Sequence, residues 1–437
     1  MGCVLSSPVE LIRVQRHGSA SFRCAVAEMQ GWRVGHEDAH EMRCEGTSGA
    51  FWVLDGHGGD GAALYSAPEL GKEFESLGKT GEIPSDERLE QGFTATDARL
   101  NDYIRENMDK NSGSTVVGAL AAKQSDGTYN IKLCNCGDSR GLIVRGPTEE
   151  EDKTPQATVR IPQHLKALGA DAEAVARGEG PAECPWPLIV ESVDHKPNHP
   201  TERARIEGAG GQVSEEDPPR LDGNLAVSRG LGDFEYKQDQ DKQPPDQKVS
   251  CIPDIYEVKG LKPGTIAILC CDGVWDVMTG HEVATFVRDQ LRADPNADLG
   301  DIAAQIIRDS IRKNSRDNVT AMIAHLVDGT DWKEEPDEMK NFEKLKEDFD
   351  DDVKKQYFHF LQKSQFPPEP QPCNVCMKWT SNMNQCPCKQ VYYCCRKCQK
   401  KDWKTHKPKC SSANPSASSP AGPSKPAAPG AAKKSKA

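Results

Sequence analysis

Two apolar runs in this chain stop at the same dipeptide. Phe51-Trp52-Val53-Leu54 runs into Asp55-Gly56-His57-Gly58-Gly59, and Thr265 to Cys271 runs into Asp272-Gly273. Apolar runs of this length read as buried strands, and the glycines end each of them in a turn. A carboxylate and open backbone are thereby placed together at two strand ends, with an imidazole beside the first. Asp supplies a hard oxygen for Mg²⁺ or Mn²⁺, the Gly56 carbonyl is open to approach, and His57 can transfer a proton nearby. Either turn alone means little, because Asp-Gly is a common turn dipeptide. Glu37-Asp38 and Asp317-Asn318 lie in further turns beside strand-like runs, and Asp276 comes soon after Asp272. Several carboxylates share one site only where divalent cations offset their repulsion, so a gathering of these turns would make a two-metal centre. Spacing does not say whether they converge.

At 437 residues the chain is long for one compact domain, so one large domain with smaller appendages is expected. A formal net charge of −12 argues against a general nucleic-acid binder. No apolar run approaches membrane-spanning length and the N-terminus lacks a secretory apolar stretch, so a cytosolic or nuclear protein is expected unless something anchors it. Met1-Gly2-Cys3-Val4-Leu5-Ser6 fits the N-myristoylation pattern at Gly2, with Cys3 a candidate for palmitoylation. One myristoyl chain holds a membrane only marginally, so Cys3 would be the second anchor. The alternative is an unmodified start.

Strand-like segments are Phe22 to Met29, 51 to 54, Thr115 to Ala122, Asn130 to Asn135, Thr265 to Cys271 and Val319 to Leu326. Helical spacing marks 85 to 107, a stretch from Pro200 to the glycines at 208 to 211, His281 to Leu291, and Leu299 to Lys313. Strands in antiparallel-looking runs with helices in separate blocks predict an α+β body. Gly146 to Pro187 is irregular and charged and reads as a surface insertion with one short helix near Gln163 to Arg177. Beyond Val327, Met339, Phe342, Leu345, Phe349, Val353, Tyr357 and Phe360 predict one apolar helix stripe that packs onto the body or braces the next module. The proline-bearing stretch Phe366 to Pro372 reads as a linker, and the Ser/Ala/Pro/Gly/Lys tail after Cys410 cannot bury a core.

Eight segments, GWRVGHEDAH, DGHGG, SGST, NCGDSRG, DHKP, LAVSRGLGDFEYK, CDGVWDVM and SRDN, occur in the order found in the metal-dependent type 2C protein Ser/Thr phosphatases, the PPM family, which residues 21–328 resemble. The resemblance implies a sandwich of two antiparallel β-sheets flanked by helices, with the metals at one end. Carried over residue by residue, it implies that Asp55 bridges two Mg²⁺ or Mn²⁺ ions, Asp272 and Asp317 complete one, and Gly56 gives its carbonyl to the other. Glu37 and Asp38 would hold that second ion's waters. Arg33 would grip the substrate phosphate and His57 would protonate the leaving alkoxide, while Asp138 and Asp276 match acids near a third ion. The implied activity is hydrolysis of phosphoserine and phosphothreonine in phosphoprotein substrates by a metal-activated water, with no phospho-enzyme. The chain departs from the family at Gly35-His36, at Gly230 and in the longer 146–187 insertion, and none of these removes a proposed ligand.

Two rival readings stand beside this one. Cys134 to Arg140 matches the C-x₅-R nucleophile loop of cysteine-dependent phosphatases, but Asp138 inside it would repel phosphate, and Gly141 to Val144 reads as a strand where such a loop opens a helix. The other is an inactive phosphatase-fold scaffold acting mainly as an adaptor; every principal ligand position is filled, which gives that no support.

Of the 17 cysteines, eight fall between Cys373 and Cys410 and the rest scatter without pairing logic, which suits a zinc module on a reduced protein better than a disulfide framework. Cys373 and Cys376, Cys386 and Cys388, Cys394 and Cys398, and His406 with Cys410 supply ligands for two tetrahedral Zn²⁺ ions. With VYYC, CQKKDW and HKPKC the segment resembles a MYND finger. That resemblance implies interleaved pairs, Cys373, Cys376, Cys394 and Cys398 on one zinc and Cys386, Cys388, His406 and Cys410 on the other, with Cys395 left free. It also implies a protein partner, proline-rich in kind, rather than nucleic acid. The expected organisation is then a 1–20 N-terminal segment, the 21–328 phosphatase domain, a 329–372 acidic helical segment and linker, the 373–410 finger and a disordered 411–437 tail. A cytoplasmic monomer is expected, membrane-associated if Gly2 and Cys3 are acylated.

Overall fold

The run that ends at Asp55 is buried along its whole length, Ser48 to Leu54, because both faces of its sheet are covered. This is why it reads as continuously apolar rather than alternating. In this computed structural model the described residues are 4–75, 82–150, 157–166, 186–329, 332–344, 349–366, 373–376, 378–380 and 383–413. The acylation positions Gly2 and Cys3, much of the 146–187 insertion, most of the 366–372 linker and the tail from 414 lie outside them. The chain divides into two units, Met1–Pro368 and Glu369–Ala437.

In the first unit one antiparallel sheet runs in the order Thr158–Arg160, Asp254–Leu261, Tyr129–Cys136, Val116–Lys123, Ser48–Leu54, Ala39–Glu45. The other runs Leu188–Glu191, Arg140–Val144, Ile266–Cys270, Val319–Leu326, Phe22–Met29, Ile12–Gly18, Glu338–Lys340. Alternate side chains of each strand face either the partner sheet or the helices outside. Phe22, Phe51, Val117, Tyr129, Leu133, Leu269 and Met322 fill the layer between the sheets. Trp52, Leu120, Phe74 and Phe93 form the core under the helices Gly61–Glu73 and Asp86–Glu106, with the Trp52 and Phe74 rings stacked at 5.6 Å. Ile268, Ala321 and Ile323 pack against the helices Gly280–Ala293 and Leu299–Arg312 on the other side. The helix starts are written locally: Ser85 accepts from Arg88 N, Thr279 and Glu282 form a reciprocal capping box, and Asp298 accepts from Gly300 N. The architecture is the expected α+β sandwich.

The structure corrects some element assignments. The 339–360 stripe is not one helix: Glu338–Lys340 pairs with Ile12–Gly18 as a strand, and the helix begins only at Asp351. Asn341, with φ of 66°, turns the chain out of the strand, and Asp350 caps the helix through Val353 N at 2.8 Å. Residues 4–18 form two strands, Val4–Val9 paired with Gly31–Arg33 and Ile12–Gly18 within the sandwich. Within the 146–187 segment Thr158–Arg160 pairs with Asp254–Leu261 as a strand, and the helix is described only over Gln163–Lys166. Gly61–Glu73 gives no helical period in the sequence because its buried face, apart from Leu70, is alanine, glycine and serine, with Pro68 inside it.

In the second unit a short hairpin, Asn384–Gln385 with Tyr392–Tyr393, precedes the helix Arg396–His406. Tyr393 is buried there, and its hydroxyl donates to Asp402 at 2.8 Å.

Candidate metal and phosphate site

The strands Ser48–Leu54 and Ile266–Cys270 belong to opposite sheets and deliver Asp55 and Asp272 to the same end of the sandwich, where both line one cleft of about 960 Å³. The glycine after each acid does more than make a turn. A Cβ on Gly56 would lie 2.3 Å from the Glu37 carbonyl oxygen, and one on Gly273 would lie 2.1 Å from that of Asn318. Glycine therefore lets the two remaining acidic loops press against the strand ends. Asn318 ties these loops together: its Oδ1 accepts from Glu37 N at 2.8 Å, and its Nδ2 donates to Gln30 O and Gly35 O at 2.7 and 2.9 Å. Arg33, Glu37, Gly56, His57, Asp138 and Asp317 line the same cleft.

The electrostatics of this end are unfavourable for the protein alone. Burial pushes the Asp55 carboxyl well above the ordinary range, and the charges of Asp38, Asp317 and Asp138 push it further. Asp272 is raised in the same way, by burial and then by Asp55, Asp138 and Asp317. Asp38 is 2% exposed and is pushed up to about 8, chiefly by burial. Its Oδ2 accepts from Thr320 Oγ1 at 2.6 Å, whereas its Oδ1 has no partner. Hard oxygens crowded together with one left unpaired fit divalent Mg²⁺ or Mn²⁺. Among the described residues of this end, Asp38, Asp55 and Cys271 bring ligand atoms within 4.8 Å of one another. Cys271 is buried, accepts from Thr320 N at 3.1 Å, and has its thiol pushed up first by burial, so it is a neutral neighbour. Asp317 is ion-paired with Arg33.

His57 sits on a small three-stranded ribbon in the order Leu231–Gly232, Gly113–Ser114, Gly56–His57. Its Nε2 meets Asp233 Oδ2 at 2.8 Å; burial works against the imidazolium, but Asp233, Asp138 and Glu37 together raise the His57 pKa. Behind the ribbon, Arg229 bonds Glu202 and Asp254, and Lys237 bonds Asp97 and the Gly230 carbonyl. Asp138 is buried and accepts from Lys196 Nζ at 2.5 Å, while Asp276 is exposed and does not line the cleft. Sequence reasoning does not single out Asp233 or Lys196, although both lie inside quoted segments, LAVSRGLGDFEYK and DHKP. Cys271, Thr320 and the clamp of Asn318 give no separate signal.

The cysteine-nucleophile reading does not survive. Cys134 is buried within the strand Tyr129–Cys136, its thiol pushed up to about 12 by burial, and Arg140 is taken by Asp194 and Glu191. Residues 140–144 continue as a strand, so no phosphate cradle forms.

In the second unit the ligand atoms gather as Cys373, Cys376, Cys394 and Cys398, and as Cys386, Cys388, His406 and Cys410, each set within 4.8 Å. His406 Nε2 lies 3.3 Å from the sulfurs of both Cys386 and Cys388. Cys395 belongs to neither set.

The protein phosphatase 2C family profile matches residues 22–159 and 190–319, and the MYND finger profile matches 373–410. Bovine protein phosphatase 1B is 31% identical over 343 residues, covering 74% of this chain, and the match spans 60% of that protein's length. Human protein phosphatase 1A is 32% identical over 341 residues, covering 74% of this chain and 75% of its own. A phosphatase structure from Toxoplasma gondii superposes with a TM-score of 0.57 at 24% identity over 76% of this chain and 99% of its own, a likeness of fold. A Caenorhabditis elegans sex determining protein does so at 0.51 and 22%, covering 71% and 66%. The fold and the acid-lined cleft are thus of the kind found in the protein Ser/Thr phosphatases. The chain belongs to the protein phosphatase 2C family and carries a C-terminal MYND finger.

Proposed function

We propose that this chain hydrolyses phosphoserine and phosphothreonine in proteins at the Asp55 end of the sandwich. The observation that carries the reading is the convergence in one cleft of acids from four separate loops, Glu37, Asp55, Asp272 and Asp317, with Arg33 and His57 beside them. Asp55, Asp272, Asp317 and the Gly56 carbonyl would hold two divalent cations, Mg²⁺ or Mn²⁺, with Glu37 and Asp38 behind them. When bound, these supply Lewis acidity that makes water nucleophilic at neutral pH. Arg33 offers a planar fork of donors to phosphate oxygens, which a lysine would not copy. The serine or threonine alkoxide is a poor leaving group, and proton donation by His57 contributes about 10²–10⁴ in rate. Asp233 favours the charged imidazole and aims it. Asp138, paired with Lys196, would serve a third cation only if that ammonium moved aside.

The MYND unit would hold two zinc ions and dock the phosphatase on a protein partner bearing a proline-rich segment. The supporting observation is the separation of its ligands into two complete four-donor sets. The central reading is tested by Mn²⁺-dependent dephosphorylation of a phosphoserine peptide by the parent chain, Asp55→Asn and Asp272→Asn. Both variants should lose nearly all turnover, and unchanged activity in both would overturn the two-metal centre.

A further inference from the structure

We infer that the helix Asp351–Lys363, which lies beyond the matched phosphatase segment, is a strap on the metal-ligating loops, with Lys363 as its positioning residue. The helix is seated by Tyr357, whose hydroxyl accepts from Glu10 N at 3.1 Å and donates to Pro8 O at 3.2 Å. One turn on, Phe360 packs edge-on against His36, with ring centroids 5.2 Å apart at 77°. At the helix end the Lys363 ammonium donates to the His36 carbonyl and, at 3.0 Å, to Asp60 Oδ2.

His36 immediately precedes Glu37-Asp38, and Asp60 opens the helix that comes after Asp55-Gly56-His57. One ammonium therefore fastens together the two loops that carry these ligands. The Lys363 side chain is only 18% exposed, so the link is more than a solvated surface pair. A carboxylate crowded among other carboxylates moves apart from them unless its backbone is held, and the strap holds it through Phe360, Lys363 and Asp60, none of which lines the cleft. Groups that orient metal ligands from behind typically change metal affinity by about 10–100-fold when removed. This inference rests on the metal reading above and adds to it a residue outside the catalytic segment.

The test uses the full chain with Lys363→Met and Lys363→Arg. Bound Mn²⁺ is counted by the electron paramagnetic resonance signal of the free aqueous ion, beside kcat and KM for a phosphoserine peptide and thermal unfolding in chelator. Lys363→Met should bind Mn²⁺ about tenfold more weakly, recover kcat at saturating Mn²⁺ and keep its KM, with Lys363→Arg restoring most of the affinity. Parent-like Mn²⁺ binding in Lys363→Met overturns the strap while leaving the metal centre intact. A parent chain that binds no Mn²⁺ overturns both. Should Lys363→Met fail to fold, Asp60→Asn removes one arm of the same link and must weaken Mn²⁺ binding in the same direction; unchanged binding there overturns the strap as well.

Discussion

Replacing Arg229 by Met tests how the ribbon that carries His57 is held. Arg229 is 9% exposed and lies between two buried carboxylates. Its Nη2 reaches Glu202 Oε1 at 2.7 Å, and its Nη1 reaches Asp254 Oδ1 at 2.9 Å and Ile252 O at 3.1 Å. Burial alone would raise both carboxyls, but Arg229 and then His195 hold Asp254 well below the usual range, and Arg229, His195 and Arg205 do the same for Glu202. Removing one partner of a buried ion pair costs roughly 3–5 kcal/mol, because the remaining charge loses its compensation. Glu202 keeps Arg205 and Ser228, and Asp254 keeps His195, so the loss falls at the low end, about 3 kcal/mol. Both carboxylates have depressed folded pKa values, so their stabilisation is full above their unfolded values near about 4 and fades as pH falls through the folded ones. The gap between parent and Arg229→Met therefore narrows below about pH 4. Arg229 also leads into Leu231–Gly232, which carries Asp233, so activity should fall with stability. Urea unfolding tracked by tryptophan fluorescence at about pH 7 and about pH 3.5 measures the gap above that range and within it. A loss under about 1 kcal/mol, or a gap that widens in acid, would refute the reasoning.

His57→Gln should lower kcat for a phosphoserine peptide by about 10²–10⁴, and much less for an aryl phosphate, whose phenolate leaves without a proton; equal losses on both would remove His57 from the proton transfer. His325 in the strand Val319–Leu326 is 7% exposed, neither ring nitrogen has a side-chain partner, and burial, then the charge of Arg23, lowers its pKa to about 4. The unfolded chain then binds the extra proton first, so stability is present above pH 6.5 and is lost between 6.5 and about 4, by about 3 kcal/mol. His325→Leu should remove that acid-side loss, and parallel acid profiles for variant and parent would count against it.

The sequence is most legible where one chemical demand shows in one stretch. Asp55 and Asp272 stand out because a buried strand must end before a carboxylate can be used, and the cysteine pairs stand out because four soft donors at short spacing have few other purposes. Positions that work through distant partners are silent. Asp233 meets His57 across a separation of 176 residues, and Thr320 reaches Asp38 across 282. The helix Gly61–Glu73 escapes a reading by pattern because it buries small side chains, which leave no apolar period. The stripe from Met339 to Phe360 misleads for the opposite reason: strand and helix each bury apolar residues, and their spacings run on as one helix across the turn at Asn341.

That stripe also shows why a domain boundary drawn from motifs differs from one drawn from contacts. The family segments end at Asn318, yet Glu338–Lys340 extends a sheet of the sandwich and Lys363 reaches the loop before Glu37. Strand addition satisfies backbone groups without regard to side-chain identity, so it leaves no motif. A lysine contributing one ammonium to a carbonyl and a carboxylate likewise looks like any surface lysine in a sequence. A chain truncated after residue 328 would therefore keep every proposed ligand of the cleft and still lose the strand Glu338–Lys340 and the link from Lys363 to Asp60. The motifs locate the proposed chemistry at Asp55, whereas the contacts that hold its loops extend about 35 residues beyond that boundary.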